Sequence, residues 1–493
     1  MMKNTIKKLL AALLAVAMLC AMAVPALAAE DTTYTITINN HVGTYEAYQI
    51  FAGTLSEDGV LSNITWGSGV TTDGQTALGV ASEAAKALEE KTTDAKTFAV
   101  KVSKYLGTVA GSGTTEITNL APGYYLVKNK SVSENESYTS FILEVVKDVT
   151  VEPKSDKPSL EKKVKDINDS TSDTTGWQDS ADYDINDDVP FQLTTKVPTN
   201  FADYTSYKFV FHDEQSEGLT LKADTVKVKI GTIQLTTDQF SVDTEPGDAC
   251  TFHVVINDLK NIPHISAGDA VVVKYESTLN NKAKIGEAGN PNEASLEYSN
   301  NPYDSKDTTT TPKDKVTVFT YKVTVNKVNN ENNALKGAAF ALYKKIGDGE
   351  NSWKLIALNN AQKTADGYDI EDAAKTTFEW TGLDDGIYKI VEIITPDGYN
   401  TIDDQEFTVT AVHEAESIDP KLTDLNGNAV DGSVITFTPD KNAGSLTTNV
   451  VNQKGTTLPS TGGIGTTIFY VVGGGLMVAA IVLLVTKKRM ENK

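Results

Sequence analysis

Apolar and polar residues alternate with period two in short runs along most of this chain, as in "YTITI" (34–38), "VKVKI" (226–230), "VVVKY" (271–275), "SLEYS" (295–299) and "YKVTV" (321–325). Such alternation presents one apolar face per strand, and clusters of Gly, Asn, Asp and Pro between the runs supply turns. The pattern predicts an all-β body. One stretch differs: over residues 77–106 the apolar positions recur at helical spacing, which predicts a helix there. Two polar, Pro-marked segments, "VEPKSDKPS" (151–159) and "SKDTTTTPKDK" (305–315), divide the body into expected domains at 29–154, 155–315 and 316–454.

An internal likeness links the first and third of these. "TNLAPGYYLV" (118–127) and "TGLDDGIYKI" (381–390) share Thr, Leu, Gly, Tyr and a final aliphatic residue, which predicts related sandwiches. Two residues beyond each match stand Asn129 and Glu392, in equivalent places.

Composition narrows the chemistry. The chain has 493 residues, 40% of them hydrophobic and 22% charged, which suits several ordered domains rather than a disordered polymer. Its net charge of −22 falls to −28 once three Lys in residues 1–28 and the net three positive charges of residues 463–493 are set aside. The one Arg, Arg489, lies in that last stretch. An acidic body without guanidinium groups excludes nucleic acid as a partner and disfavours phosphate-rich substrates. Of two cysteines, Cys20 lies in the N-terminal apolar run, so Cys250 can form neither an internal disulfide nor a cysteine metal cluster. Within "DACTFHVV" it is expected to be a small buried hydrophobe. The five His (His41, His212, His253, His264, His413) are scattered and fit no hydrolase or metalloprotease pattern. No cofactor or metal is called for, and "DLNGNAVDG" (424–432) has Ala429 where a calcium loop requires Gly, so a solvated turn is expected there.

The ends read as export and anchoring signals. Lys3, Lys7 and Lys8 precede an apolar run (9–24) and an Ala26-Leu27-Ala28 cleavage site, which predicts a secretory signal peptide over 1–28. Residues 464–486 are uncharged, long enough at about 1.5 Å per residue to cross a membrane, and are followed at once by Lys487, Lys488 and Arg489, which hold that end inside the cell. Before the span stands Leu458-Pro459-Ser460-Thr461-Gly462. Pentapeptide, span and basic tail together resemble the sortase sorting signal. The resemblance implies cleavage between Thr461 and Gly462, with Thr461 held as an acyl-enzyme until an amine resolves it. Residues 455–493 would thus be the sorting region of a wall-anchored surface protein whose precursor sits in the plasma membrane.

Three lysines stand in unusual settings. In the third domain Val323, Val325 and Lys327 share a strand face, and a Lys on an apolar face is costly unless neutral or paired. Downstream, Tyr388, Glu392, Pro396, Gly398 and Tyr399 resemble the acid-bearing segment of collagen-adhesin (Cna) B-type domains. The resemblance implies an autocatalytic isopeptide bond from Lys327 to Asn452 promoted by Glu392. Burial favours the neutral forms of both an amine and an acid, making one a nucleophile and the other a proton donor. The middle domain carries a parallel set: Leu160, Lys162 and Val164 share a face with Lys163 turned to solvent, Asp213 supplies the acid, and Asn292 or Asn300 supplies the amide. This set resembles the isopeptide-forming domain of Gram-positive pilins. The first domain, with Asn129 in place of the acid, is expected to form no such bond.

The third lysine is Lys154, ending the alternating run Val149-Thr150-Val151-Glu152-Pro153-Lys154 at a domain junction. It resembles the pilin motif of sortase-built pili, with Glu152 where a Tyr is usual. Signal peptide, three β domains, pilin-type Lys, two isopeptide sets and sorting tail together resemble a backbone pilin. The implied fold is a tandem of immunoglobulin-like, Cna B-type β-sandwiches with a cleaved signal peptide and a C-terminal transmembrane sorting helix. The implied function is structural: a pilus-type sortase joins Thr461 of one subunit to Lys154 of an identical one, and a wall-anchoring sortase attaches the fibre to peptidoglycan. Ancillary pilins and host surface ligands are partner classes left open. The competing reading is a minor pilin or single wall-anchored adhesin that does not polymerise.

Overall fold

The computed structural model describes residues 32–133, 136–153, 157–347, 349, 352–430, 432–455 and 464–491. The signal peptide, Lys154 and the pentapeptide 458–462 lie outside the described residues.

The N-terminal part runs β1 (Tyr34–Ile38), β2 (Gly43–Leu55), β3 (Leu61–Trp66), α1 (Thr72–Leu78), α2 (Ala81–Glu89), α3 (Ala95–Val102), β4 (Gly111–Gly113), β5 (Glu116–Leu120), β6 (Gly123–Val132), β7 (Ser140–Val145) and β8 (Val149–Val151). Its strands form one sheet in the order β5-β1-β8 and another in the order β3-β2-β6-β7, with β4 on β2. The expected single helix over 77–106 is three short ones. Gly79, at φ 84°, ends the first, and the Asp94 carboxylate caps the third by accepting from the Lys96 and Thr97 amides. Apolar spacing carried through both breaks because all three helices bury their faces in one core, with Ala85, Leu88, Phe98 and Val102 against Phe51 and Tyr124.

The middle part runs β9 (Glu161–Val164), β10 (Ser180–Asp182), β11 (Asp188–Lys196), β12 (Phe209–Gln215), β13 (Leu219–Ile230), β14 (Ile233–Gln234), β15 (Ser241–Asp243), β16 (Phe252–Ile256), β17 (Ala270–Leu279), β18 (Asn290–Ser299), β19 (Thr308–Thr310) and β20 (Asp314–Phe319). The order β10-β20-β18-β12-β16-β15, with β19 on β18, faces a second sheet of order β14-β13-β17-β11-β9. Strand β20 runs through the join expected near residue 315. Val316 and Val318 enter the middle core and Phe319 enters the next one, so a single strand carries the chain from core to core. Cys250 is partly exposed rather than buried. It sits in the turn before β16, where the alternating burial of Phe252, Val254 and Ile256 has not yet begun.

The last β part runs β21 (Tyr321–Asn329), β22 (Ala339–Lys345), β23 (Trp353–Asn359), β24 (Ala361–Thr364), β25 (Gly367–Ile370), β26 (Thr377–Leu383), β27 (Gly386–Ile394), β28 (Gln405–His413), β29 (Leu422–Ala429), β30 (Phe437–Asp440) and β31 (Ser445–Asn452). Orders β26-β21-β31-β30 and β23-β22-β27-β28-β29 enclose a core around Trp380, Tyr388 and Phe407. Most of the expected turn at 424–432 is instead in β29, paired to β28 from His413↔Leu422 to Phe407↔Ala429, because Leu422 and Leu425 are drawn into the core. Helix α4 (Ile464–Glu491) follows, and its segment Val471–Lys488 is long and apolar enough to cross a membrane.

The two 10-residue matches fold alike. Each is strand, turn, strand; Tyr125 donates to the Ala121 carbonyl at 2.7 Å and Tyr388 to the Asp384 carbonyl at 2.9 Å, four residues earlier in both cases. Asn119 (φ 60°) and Gly382 (φ 76°) take the same left-handed backbone at equivalent positions. At Gly382 the glycine also makes room, since a Cβ would lie 2.2 Å from the Ile185 side chain. In both parts the first strand pairs antiparallel with the strand before this turn and parallel with the last strand.

Candidate functional site

Lys327 lies on β21, the strand that pairs with both β26 and β31, so its inward face has no route to water. Its side chain is 0% exposed. The amine contacts Asn452 Oδ1, donates to the Val450 carbonyl at 3.1 Å and lies 3.6 Å from Glu392 Oε1. Asn452 reaches it from β31, whose parallel register pairs Asn329 with Asn452. The acid comes from β27 in the facing sheet. Asn452 Nδ2 donates to Glu392 Oε1 at 3.0 Å and Oε2 at 2.9 Å, while Thr395 Oγ1 and the Ile402 amide hold Oε2 at 3.3 and 3.2 Å. Burial pushes the Lys327 amine down to about 8, against the upward pull of Glu392.

The middle centre is built across its two sheets. Lys162, on edge strand β9, is 0% exposed and donates to Asp213 Oδ2 on β12 at 2.6 Å. It also reaches the Tyr275 hydroxyl at 2.8 Å, and that hydroxyl donates to Asp213 Oδ2 at 2.7 Å. On the far side Asn292 Nδ2 donates to the same hydroxyl at 3.0 Å. Asn292 Oδ1 and Asp213 Oδ1 are closed to solvent without hydrogen-bond partners among the described residues. Burial drives Lys162 down and Asp213 up, both toward the neutral form, each opposed by the other's charge. Tyr275 stays protonated, its pKa raised well above the usual value by burial and then by Asp213. The Phe191 ring stacks on Tyr275 at 5.3 Å and the Phe252 ring meets it edge-on at 5.1 Å, and together they keep water from the amine.

Of the two amides considered for this centre, the structure brings Asn292 to it. Asn300 stands past the far end of β18, where its Nδ2 donates to the Glu136 carbonyl at 3.1 Å and its own carbonyl accepts from the Tyr138 amide at 2.7 Å. It ties the N-terminal part to the middle. Lys163 turns outward to Asp179 at 2.7 Å and Glu416 at 3.1 Å. Tyr275 escaped the sequence reading. Its parity with Val271 and Val273 marks it as inward, but nothing local distinguishes a bridging hydroxyl from a core ring.

A further enclosed lysine provides a control. Lys344 is 0% exposed, yet Asp184, Asp384 and Asp169 surround it at 2.6, 3.1 and 3.4 Å. Its pKa is raised, since the carboxylates outweigh burial. Lys344 is a charged pin between the middle and last parts, not a nucleophile. Burial alone therefore does not favour a neutral amine; at Lys344 three carboxylates outweigh it.

In the N-terminal part the same strand register exposes what is missing. Tyr34 pairs with Leu120 as Tyr321 pairs with Leu383, which sets Asn40 in the position of Lys327. Asn40 is exposed in a turn at φ 51°. Asn129, in the place of Glu392, is buried and accepts from Thr139 N at 2.8 Å and Oγ1 at 2.9 Å.

Comparison with known proteins completes the picture. Residues 321–426 match the SpaA prealbumin-like fold domain family and residues 450–492 match the LPXTG cell wall anchor motif. The trypsin-resistant surface T6 protein of Streptococcus pyogenes serotype M6 is 28% identical over 406 residues, covering 68% of this chain and 70% of the relative. Together these likenesses support a backbone pilin of the Gram-positive type. The fold of the chain is shared with the three-domain T6 backbone pilin of the same streptococcal serotype, at a TM-score of 0.56 and 18% identity, over 87% of this chain and 100% of that one. The anchor motif and the apolar helix α4 mark the chain as a wall-anchored surface protein whose precursor is held in the membrane.

Proposed function

We propose that this chain is a backbone pilin, the repeating shaft subunit of a covalent fibre: a pilus-type sortase joins Thr461 of one copy to Lys154 of the next, and a wall-anchoring sortase transfers the base to peptidoglycan. The three β units are its load-bearing modules, and the last two lock themselves by isopeptide bonds, Lys162 to Asn292 and Lys327 to Asn452. The observation that carries this reading is the pair of enclosed lysines beside a carboxyl, Lys327 in contact with the Asn452 amide and Lys162 linked to the Asn292 amide through the Tyr275 hydroxyl.

The chemistry balances without a cofactor. The neutral amine attacks Asn Cγ, the new C–N bond forms, the Cγ–Nδ2 bond breaks, and the amide nitrogen leaves as ammonia. Glu392, bonded to the departing nitrogen, moves the proton it needs; Asp213 does so in the middle unit, with the Tyr275 hydroxyl between amine and amide. The Lys327–Asn452 bond would tie the first strand of its unit to the last, so tension entering at one end would pass along a covalent line.

Two measurements test this. Intact mass of residues 29–454 should fall short by about 34 Da, one ammonia per bond, with cross-linked peptides containing Lys162 and Lys327. In cells, Lys154→Ala should abolish the high-mass ladder and leave monomer on the wall. A full-length mass, or a ladder that persists, would overturn the corresponding half of the reading.

A further inference from the structure

On the outer face of the middle unit, behind the Lys162 centre, four side chains meet that the fibre reading does not use. Phe211 and Asp213 point into the core, so His212 between them points out of it. The antiparallel register of β12 and β16 sets His253 directly opposite, with the two rings 4.1 Å apart. The connection from β15 to β16 adds Asp248 and Cys250. Asp248 Oδ1 accepts the Cys250 amide at 2.8 Å, which turns Oδ2 toward the histidines.

Each side chain offers a donor atom, and all four lie within 4.8 Å of one another. Asp248 Oδ2 is 3.1 Å from His253 Nε2 and 3.7 Å from His212 Nδ1, and Cys250 Sγ is 3.8 Å from His212 Nδ1. A tetrahedral zinc ion with its usual bond lengths holds such donors about 3.3–3.6 Å apart. Among the described residues His253 Nε2 is closed to solvent, and its one polar neighbour, Asp248 Oδ2 at 3.1 Å, is not aligned as a hydrogen bond, so it faces this cluster with its lone pair unsatisfied. His212 is oriented from behind: its Nε2 lies 3.1 Å from Glu297 Oε2, and Lys208 holds the other Glu297 oxygen at 3.2 Å. A carboxylate behind a histidine fixes the tautomer that leaves Nδ1 free to ligate.

We propose that His212, Asp248, Cys250 and His253 form a closed structural zinc site. Two neutral imidazoles, one carboxylate and one thiolate balance a divalent ion, and the mixed nitrogen–sulfur set selects zinc over calcium or magnesium. Binding is not redox: the thiol passes its proton to solvent as the metal–sulfur bond forms. The ion staples the β15–β16 connection to the back of the strand that carries Asp213. Scattered in sequence, the two histidines become neighbours only through strand pairing.

The test uses the full chain purified without a polyhistidine tag and titrated with Co²⁺, then Zn²⁺. One equivalent of Co²⁺ should give tetrahedral visible bands and a thiolate charge-transfer band, both erased by Zn²⁺. Cys250→Ser should remove the charge-transfer band. His253→Ala should abolish tight binding, Glu297→Gln should weaken it about 10- to 100-fold, and exposed His264→Ala should change nothing. Far-UV circular dichroism confirms that each variant is folded; Cys250→Ser, nearly isosteric and partly exposed, keeps the test alive if another variant is not. Absence of Co²⁺ bands, bands without charge transfer, or identical spectra in Cys250→Ser would overturn the proposal.

Discussion

The first and last units share a turn, a buried tyrosine, a left-handed residue and the same antiparallel and parallel neighbours for their opening strand. They differ in what stands at the end of that strand. In the last unit β21 continues to Asn329 and carries Lys327 inward; in the first, β1 stops at Ile38 and Asn40 turns into solvent. Across the sandwich the acid Glu392 is answered by the amide Asn129. A common scaffold thus holds the proposed isopeptide centre in one copy and an amide hydrogen-bonded to Thr139 in the other. Strand length and one carboxyl separate the two.

Removing the acid should produce the largest effect. Glu392→Gln keeps the shape and most hydrogen bonds but cannot carry the proton, so Lys327 and Asn452, 125 residues apart, should stay unjoined. Loss of a cross-link over a loop of that size costs about 4–5 kcal/mol in chain entropy, and melting of the last unit should drop by roughly 10–20 °C. Calorimetry with intact mass reads both. An unchanged mass and melting point would remove the distinction between the two units.

The middle unit offers a graded version. Tyr275→Phe leaves Lys162, Asp213 and Asn292 in place but deletes the hydroxyl that touches all three. Closure should slow, leaving a fraction of freshly made protein one ammonia, about 17 Da, heavier than the closed form of the same variant, whereas Asp213→Asn should leave all of it unclosed. If Tyr275→Phe closes as fast as wild type, the hydroxyl is packing alone.

Converting the inert copy should fail in a defined way. Asn129→Glu restores the acid without the amine, because the equivalent of Lys327 is exposed Asn40. The new carboxyl would replace an amide bonded twice to Thr139, so the first unit should lose about 1–3 kcal/mol with no change in mass beyond the substitution. A linked peptide from residues 32–151 would show that the acid alone had been limiting.

What was legible follows from which interactions are local. Period-two alternation set Lys162 and Lys327 on inward faces, and both are closed to solvent. The 263-residue offset paired Asn129 with Glu392, and strand register agrees. The helix over 77–106 was misread because Gly79 and Asp94 interrupt it without disturbing the apolar spacing that one core imposes on three segments. Tyr275, Asn40 and the meeting of His212 with Cys250 depend on pairings between strands far apart in sequence, which no local pattern encodes. The join near 315 was displaced for a related reason: β20 reads as polar linker at Asp314 and Lys315, but its partner β18 draws it into the middle sheet.

The smallest effect tests the shared scaffold itself. Tyr125→Phe removes one buried hydrogen bond, to the Ala121 carbonyl, and should cost about 1 kcal/mol in the first unit. Tyr388→Phe removes the equivalent bond to the Asp384 carbonyl but also a contact at 3.3 Å with Asp184 of the middle unit. That second contact reaches the carboxylates around Lys344, so the loss should be larger by a few tenths to about 1 kcal/mol and should loosen the junction as well as the sandwich. Denaturant unfolding gives the two costs, and protease nicking between the middle and last units reports the junction. Equal costs with an intact junction would mean that the tyrosine serves only its own turn in both copies, and that the junction rests on Lys344 and its three carboxylates.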